Sequence, residues 1–186
     1  PSLKASSPQG PIADFFFDDF HHQGAFLVSY TAAFGVFGYQ TGGKTKENWF
    51  KDEMQRFDYE GIKDGYDFYL KQGPLQNITE KYHHDNFFWQ QFVDHPNYDQ
   101  FWQQRNLLQH LKGVKHAVMT VGGWFDAEDL YGPLNIYKTI EQTSPPAHNT
   151  IVMGPWGHGD WATEKGKSTH NHIYFGDSLS TFYQRE

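Results

Sequence analysis

An acidic residue and a histidine each follow an apolar stretch, and each stands among glycine and tryptophan. Asp126 belongs to GGWFDAED, after the apolar run at 118–121, and His158 belongs to GPWGHGDW, after the apolar run at 151–153. A carboxylate that holds an imidazole fixes its tautomer and stabilises the imidazolium, which is the orienting half of a nucleophilic triad. Taken alone, the two residues are equally compatible with an acid in a turn and a histidine on the surface.

The elements around these two residues predict that they are neighbours. KHAVMTVGG (115–123) and TIVMG (150–154) are typical of strands, and DLYGPLNIYKTIEQ (129–142) between them is typical of a helix. A strand–helix–strand unit builds a parallel sheet, and function in such sheets lies at the carboxyl ends of the strands. Because consecutive strands usually lie side by side, we expect Asp126 and His158 at the same edge.

The middle of the chain has a different, polar and aromatic texture that predicts helices. NFFWQQFVDH (86–95) is one such segment, and NYDQFWQQRNLLQHLK (97–112) is another, with Asn97 or Asp99 as the capping residue at its start. We therefore predict an α/β core in two parts, residues 1–43 and 113–186, interrupted by a helical insertion at 44–112.

Composition excludes several classes of protein. The chain has 186 residues and a net charge of -7, whereas a nucleic-acid binder would normally present a basic face. Cysteine is absent, which excludes disulfides, thiolate zinc sites and a cysteine nucleophile. No apolar run approaches the roughly 20 residues that cross a membrane. Histidine pairs occur, but no ligand motif accompanies them, so we expect no metal site.

Three longer segments carry a resemblance to a known group of enzymes. SLKASSPQGPIADFFFDDFHHQGAF, GGWFDAEDLYG and VMGPWGHGDW resemble, in order and spacing, the serine hydrolases of the X-Pro dipeptidyl-peptidase, cocaine esterase and α-amino acid ester hydrolase superfamily. The resemblance is strongest to the α-amino acid ester hydrolases and glutaryl-7-aminocephalosporanic acid acylases. It implies the C-terminal part of an α/β-hydrolase fold with a parallel sheet and a helical cap. It also implies that Asp126 is the triad acid and His158 the triad base.

The same resemblance implies a binding site for the substrate's free α-ammonium group. The amino acid ester hydrolases hold that group with three carboxylates, and the matching positions are Asp19, Glu128 and Asp129. Fixed anions would offset the desolvation of a buried ammonium. The alternative for Glu128 and Asp129 is that they only favour the N-terminus of the next helix, where acids are stabilising.

The implied partner is therefore a small-molecule or short peptide substrate with a free α-amino group, and no cofactor, nucleic acid or membrane is implied. Homo-oligomers are common in the superfamily and remain open here. Two other functions also stay open. One is an X-Pro dipeptidyl-peptidase or a plain esterase, and the other is a non-catalytic binding domain that retains the fold.

One family feature is absent from these residues. The family's nucleophile is a serine in a G-x-S-Y-x-G elbow, and no G-x-S-x-G occurs in the 186 residues. The resemblance places the elbow shortly before SLKASSPQ, so we expect the serine to lie upstream and this chain alone to hydrolyse nothing. A periplasmic or secreted location is favoured over a cytoplasmic one.

Overall fold

The computed structural model describes residues 2–34, 59–145, 147–163, 169–176 and 180–185. They form two compact units. The described parts of Pro1–Gln23 and Trp102–Glu186 make the first, and those of Gly24–Phe101 make the second. The predicted boundary between residues 43 and 44 lies outside the described residues, and the division into core and cap stays a prediction.

The strands and helices of the described residues are short, with one longer helix. The strands are β1 Ala5–Ser6, β2 His21–His22, β3 Ala25–Phe26, β4 Ala117–Gly123, β5 Asn149–Gly154, β6 Thr169–His170 and β7 Ile173–Tyr174. The helices are α1 Tyr30–Ala33, α2 Gly65–Gln72, α3 Leu75–Tyr82, α4 Phe87–Asp94, α5 Gln100–Gln103, α6 Tyr131–Thr143, α7 Asp160–Thr163 and α8 Thr181–Arg185. A π-helical turn at Phe16–Phe20 and a 3₁₀ turn at Leu107–His110 complete the set.

The first unit is organised by a three-stranded parallel sheet. Its order is β1-β4-β5, and β4 pairs with β5 from Val118↔Asn149 to Gly123↔Gly154. The two strands therefore end side by side, and helix α6 connects them. The parallel sheet confirms the α/β class predicted from the sequence.

Alternation along β4 sends its side chains into two separate cores. Val118 packs with Ile136 and Ile140 of α6 and with Ala13. Val121 points to the other face, where a second cluster contains Trp156 and Trp161. The loop after β5 thus contributes two buried indole rings, which explains why tryptophan surrounds His158 in the sequence.

The second unit is helical and has an aromatic core. Asp64 and Asn86 cap α2 and α4, because each side chain accepts hydrogen bonds from backbone N–H groups in the first turn. The fully buried side chains of this unit include Phe34, Phe68 and Trp89. Within the described ranges, no helix has both the length and the apolar character that crossing a bilayer requires.

The prediction of a helix over 97–112 is wrong in its extent. Asp99 does accept from the Phe101 N–H, as a cap would, but α5 ends at Gln103 and only the 3₁₀ turn Leu107–His110 follows. The Gln109 side-chain amide donates to the carbonyl oxygens of residues 103, 104 and 106. These bonds satisfy carbonyls that a continuous helix would have paired with its own backbone.

Candidate active site

Asp126 lies in the turn that follows β4, and its carboxylate closes that turn. The backbone N–H groups of Glu128 and Asp129 donate to Asp126 Oδ1 at 2.9 and 3.0 Å. The Asp126 N–H donates to the Gly123 carbonyl at 3.2 Å. The side chain is completely buried. One carboxylate oxygen is therefore fixed by the backbone, and Oδ2 is held in a defined direction.

His158 lies in the equivalent turn after β5. The Gly157 N–H donates to Asp160 Oδ2 at 2.8 Å, and the Asp160 N–H donates to the Gly157 carbonyl at 3.3 Å. Gly159 has φ of +77°, a left-handed conformation that favours glycine. The turn is tied at both ends, while the His158 side chain remains 46% exposed.

Two backbone hydrogen bonds join the acid turn to the base turn. The Trp124 N–H donates to the Gly154 carbonyl at 2.8 Å, and the Phe125 N–H donates to the Trp156 carbonyl at 3.0 Å. A β-carbon on Gly123 would collide with that same Trp156 carbonyl oxygen. Glycine at position 123 therefore permits the close approach of the two turns.

The structure brings the two predicted triad residues into contact. Nδ1 of His158 lies 3.0 Å from Asp126 Oδ2. A carboxylate oxygen accepts, so Nδ1 carries the proton and Nε2 presents its lone pair. Nε2 has no hydrogen-bond partner among the residues described by the structure. The arrangement can therefore take a proton at Nε2 and stabilise the resulting imidazolium through Asp126.

The predicted ammonium-binding carboxylates gather around the same imidazole. Glu128 Oε2 and Asp129 Oδ2 lie 3.8 and 3.7 Å from His158 Nδ1. Asp129 is 3% exposed, and its Oδ1 is buried with no hydrogen-bond partner in the described part of the chain. Asp19, on the π-helical turn, is also buried and acts on Asp129 through its charge. The cluster is strongly anionic and partly unsatisfied.

Asp129 bears most of the cost of this crowding. Burial raises the pKa of the Asp129 carboxyl from its usual 3.8 to about 8, and the charges of Asp19, Asp18, Glu128 and Asp126 add to that increase in the pKa. Without a counter-cation, Asp129 therefore keeps its proton at neutral pH. A cation beside Asp129 would favour the ionised form.

This raised pKa predicts how stability depends on pH. Between about pH 4 and pH 8 the folded state keeps a proton on Asp129 that the unfolded state has lost, so stability falls as pH rises and levels off above 8. Asp129→Asn removes the titration. We expect the variant to unfold at about the same urea concentration as the wild type at pH 4. At pH 9 we expect it to be more stable, by on the order of 3 kcal/mol. A stability difference that does not change between these pH values would contradict the assignment.

Asp18, the other acid of DDF, has a structural role that the sequence did not reveal. Its Oδ2 accepts from the N–H groups of Ala13 and Asp14, and its Oδ1 accepts from the Gly132 N–H at 2.6 Å. Burial raises the pKa of Asp18, while these backbone hydrogen bonds lower it. Asp18 thereby ties the π-helical turn to the start of α6 and holds Asp19 beside the site.

Metal binding finds no support in the residues described. They contain no group of three or more His, Cys, Asp or Glu arranged to hold a metal ion. The described histidines instead make other contacts, such as the hydrogen bond from His83 to the Thr31 carbonyl at 2.7 Å.

The fold and the site together define a class of protein. A parallel sheet, a crossover helix, and an Asp–His pair just beyond the ends of adjacent strands are the arrangement of an α/β hydrolase. The chain belongs to the X-Pro dipeptidyl-peptidase (S15) family, whose sequence profile matches residues 1–160.

Three individual proteins show what this chain is similar to. Cocaine esterase from Rhodococcus sp. (strain MB1 Bresler) is 32% identical over 73 residues, which are 38% of this chain. An aminopeptidase from the marine sediment archaeon Thaumarchaeota archaeon superposes over 100% of this chain with a TM-score of 0.76 and 27% identity. An α-amino acid ester hydrolase superposes over 96% with a TM-score of 0.74 and 24% identity, a likeness that concerns the fold.

These relatives are much longer than the chain. The matched region is 12% of the cocaine esterase, and the chain covers 29% of the aminopeptidase and 28% of the ester hydrolase. The described site therefore corresponds to one part of each relative.

Proposed function

We propose that this chain supplies the acid, the base and the ammonium-binding carboxylates of a serine hydrolase that acts on α-amino acyl esters or β-lactam-type amides. The observation that carries the proposal is the environment of His158. Its Nδ1 is hydrogen-bonded to Asp126 Oδ2 at 3.0 Å and lies within 4 Å of Glu128 and Asp129, while its Nε2 is free among the described residues.

The proposed chemistry is acyl transfer through a serine nucleophile. As the serine oxygen attacks the substrate carbonyl, its proton passes to His158 Nε2, and Asp126 stabilises the imidazolium. The imidazolium then gives that proton to the leaving alcohol or amine. Water repeats the sequence on the acyl-enzyme, again with His158 as the base. No residue of the described chain donates to Nε2, so the proposal assigns the serine no number here.

Recognition of the α-ammonium group is proposed for Asp19, Glu128 and Asp129. The unpartnered Asp129 Oδ1 is an acceptor that a substrate N–H can satisfy, and the ammonium charge would offset the repulsion that keeps Asp129 protonated. The alternative role at a helix N-terminus is less suited to Asp129, because its side chain points to His158 and α6 begins at Tyr131.

A second candidate is favoured by the family match. An X-Pro dipeptidyl-peptidase would use the same acid and base, and the same carboxylates would hold the free N-terminus of a peptide. The two candidates differ in the group that follows the amino-bearing residue. A plain esterase would have no use for the carboxylate cluster.

A panel of three substrates separates these functions in the full-length protein. We expect hydrolysis of phenylglycine methyl ester, slower hydrolysis of an X-Pro p-nitroanilide, and little hydrolysis of a simple aryl acetate. Preference for the X-Pro anilide would favour the second candidate, and preference for the acetate would favour an esterase. His158→Gln should abolish all three activities, and hydrolysis that survives this substitution would refute the proposed base.

A further inference from the structure

His170 lies behind the proposed active site and touches both of the turns that form it. It belongs to the hairpin of β6 and β7, where His170 pairs with Ile173. Its side chain is 14% exposed, although a histidine in a short two-stranded hairpin is ordinarily solvated. The proposed roles of Asp126 and His158 do not use it, so its burial calls for a separate explanation.

On the base side, His170 contacts the turn that carries His158. Its Nδ1 lies 3.4 Å from Asp160 Oδ2, the same oxygen that accepts from the Gly157 N–H. The ring also packs on the backbone, since a β-carbon on Gly157 would lie 3.1 Å from His170 Cε1. Nδ1 is buried without a well-aligned hydrogen bond, which leaves the Asp160 carboxylate as its nearest counter-charge. His170 therefore presses on both ends of the turn.

On the acid side, His170 contacts the residue that precedes Asp126. The rings of His170 and Phe125 have centroids 4.7 Å apart at an interplanar angle of 32°. Phe175, on the same hairpin, packs edge-on against Phe125 with centroids 5.7 Å apart. The hairpin thus holds Phe125 from one side, while the Phe125 N–H is held by the Trp156 carbonyl.

We propose that His170 is a positioning residue, which sets the distance between Asp126 and His158 by bracing both turns at once. It touches neither of the reacting groups and acts through Phe125 and Asp160. The inference rests on the proposed function only in so far as that distance serves catalysis. A small displacement of a catalytic pair by a remote substitution can lower the rate by up to about a hundredfold.

The test measures the Asp126–His158 hydrogen bond directly in the full-length protein. The Nδ1 proton of His158 is followed by ¹H–¹⁵N NMR, with its resonance assigned through its loss in His158→Gln. In His170→Ala we expect this proton to exchange with solvent about tenfold faster, because the pair opens more often. On phenylglycine methyl ester, kcat should fall roughly ten- to a hundredfold with KM nearly unchanged.

Two further variants keep the result interpretable. His172→Ala is the matched control, because His172 lies in the same hairpin turn but is exposed and has no contact of this kind with the described residues. It should leave both exchange and kcat unchanged. His170→Phe keeps a ring against Phe125 and protects folding, but it loses the contact with Asp160, so exchange should again be faster.

Unchanged exchange in His170→Phe and in any folded His170→Ala protein would overturn the inference, as would an equal effect of His172→Ala. The outcome is independent of the proposed function. If the wild type hydrolyses no ester, the proposed function fails, while proton exchange at His158 still decides the role of His170.

Discussion

Replacing Asp126 by asparagine is expected to lower kcat of the full-length protein on its best ester about 10⁴-fold, the loss typical of an amide in place of a triad acid. The fold should change little. Asparagine can keep its side-chain oxygen towards the N–H groups of Glu128 and Asp129, which now donate to Asp126 Oδ1. Its NH₂ group then faces His158 Nδ1, where Asp126 Oδ2 now accepts.

The reason for so large a loss is the tautomer. An NH₂ group donates to Nδ1, so the imidazole proton moves to Nε2, and the histidine can no longer take a proton from a nucleophile there. Steady-state kinetics measures the effect, with Asp67→Asn as a control, because Asp67 is an exposed carboxylate of the helical unit. Retention of more than a tenth of the wild-type kcat in Asp126→Asn would contradict the role of Asp126.

Replacing Gly123 by alanine is expected to destabilise the protein by about 3 kcal/mol or more, at the upper end of what overpacking causes. The new β-carbon would overlap the Trp156 carbonyl oxygen, which is backbone and cannot rotate away. The turns carrying Asp126 and His158 would have to separate, and the hydrogen bond from Phe125 to Trp156 would break.

Urea unfolding measures this effect, and a second glycine provides the control. Gly65 begins helix α2, and a β-carbon there would meet nothing within 4 Å. Because alanine is a better helix former than glycine, Gly65→Ala should leave stability unchanged or raise it slightly. Equal unfolding midpoints for the two alanine variants would show that the close approach at Gly123 is not needed.

The sequence predicts the sheet and the Asp–His pair well, because the signals are local. The apolar runs at 118–121 and 150–153 specify buried parallel strands, and parallel strands must bring Asp126 and His158 to one edge. Asp126 has a second local signal, since an acid two and three residues before N–H groups readily closes a turn.

The remaining features depend on contacts that are distant in the chain. Asp18 and Asp19 are adjacent and chemically identical, and only the approach of Gly132 makes Asp18 the structural one. The position of His170 against Phe125 likewise follows from how a hairpin packs. Segment 97–112 has helical periodicity, yet the Gln109 side chain competes for its carbonyls, a choice that periodicity does not contain.

The central claim is that a carboxylate cluster beside an Asp–His pair selects substrates with a free α-ammonium group. The most direct measurement is the ratio of kcat/KM for phenylglycine methyl ester to kcat/KM for its N-acetyl derivative, in the full-length protein and in Glu128→Gln. We predict a ratio of at least about 100 in the wild type, because the acetylated substrate leaves buried carboxylates unpaired. We predict a roughly tenfold smaller ratio in Glu128→Gln. A wild-type ratio near 1, unchanged by the substitution, would contradict the account.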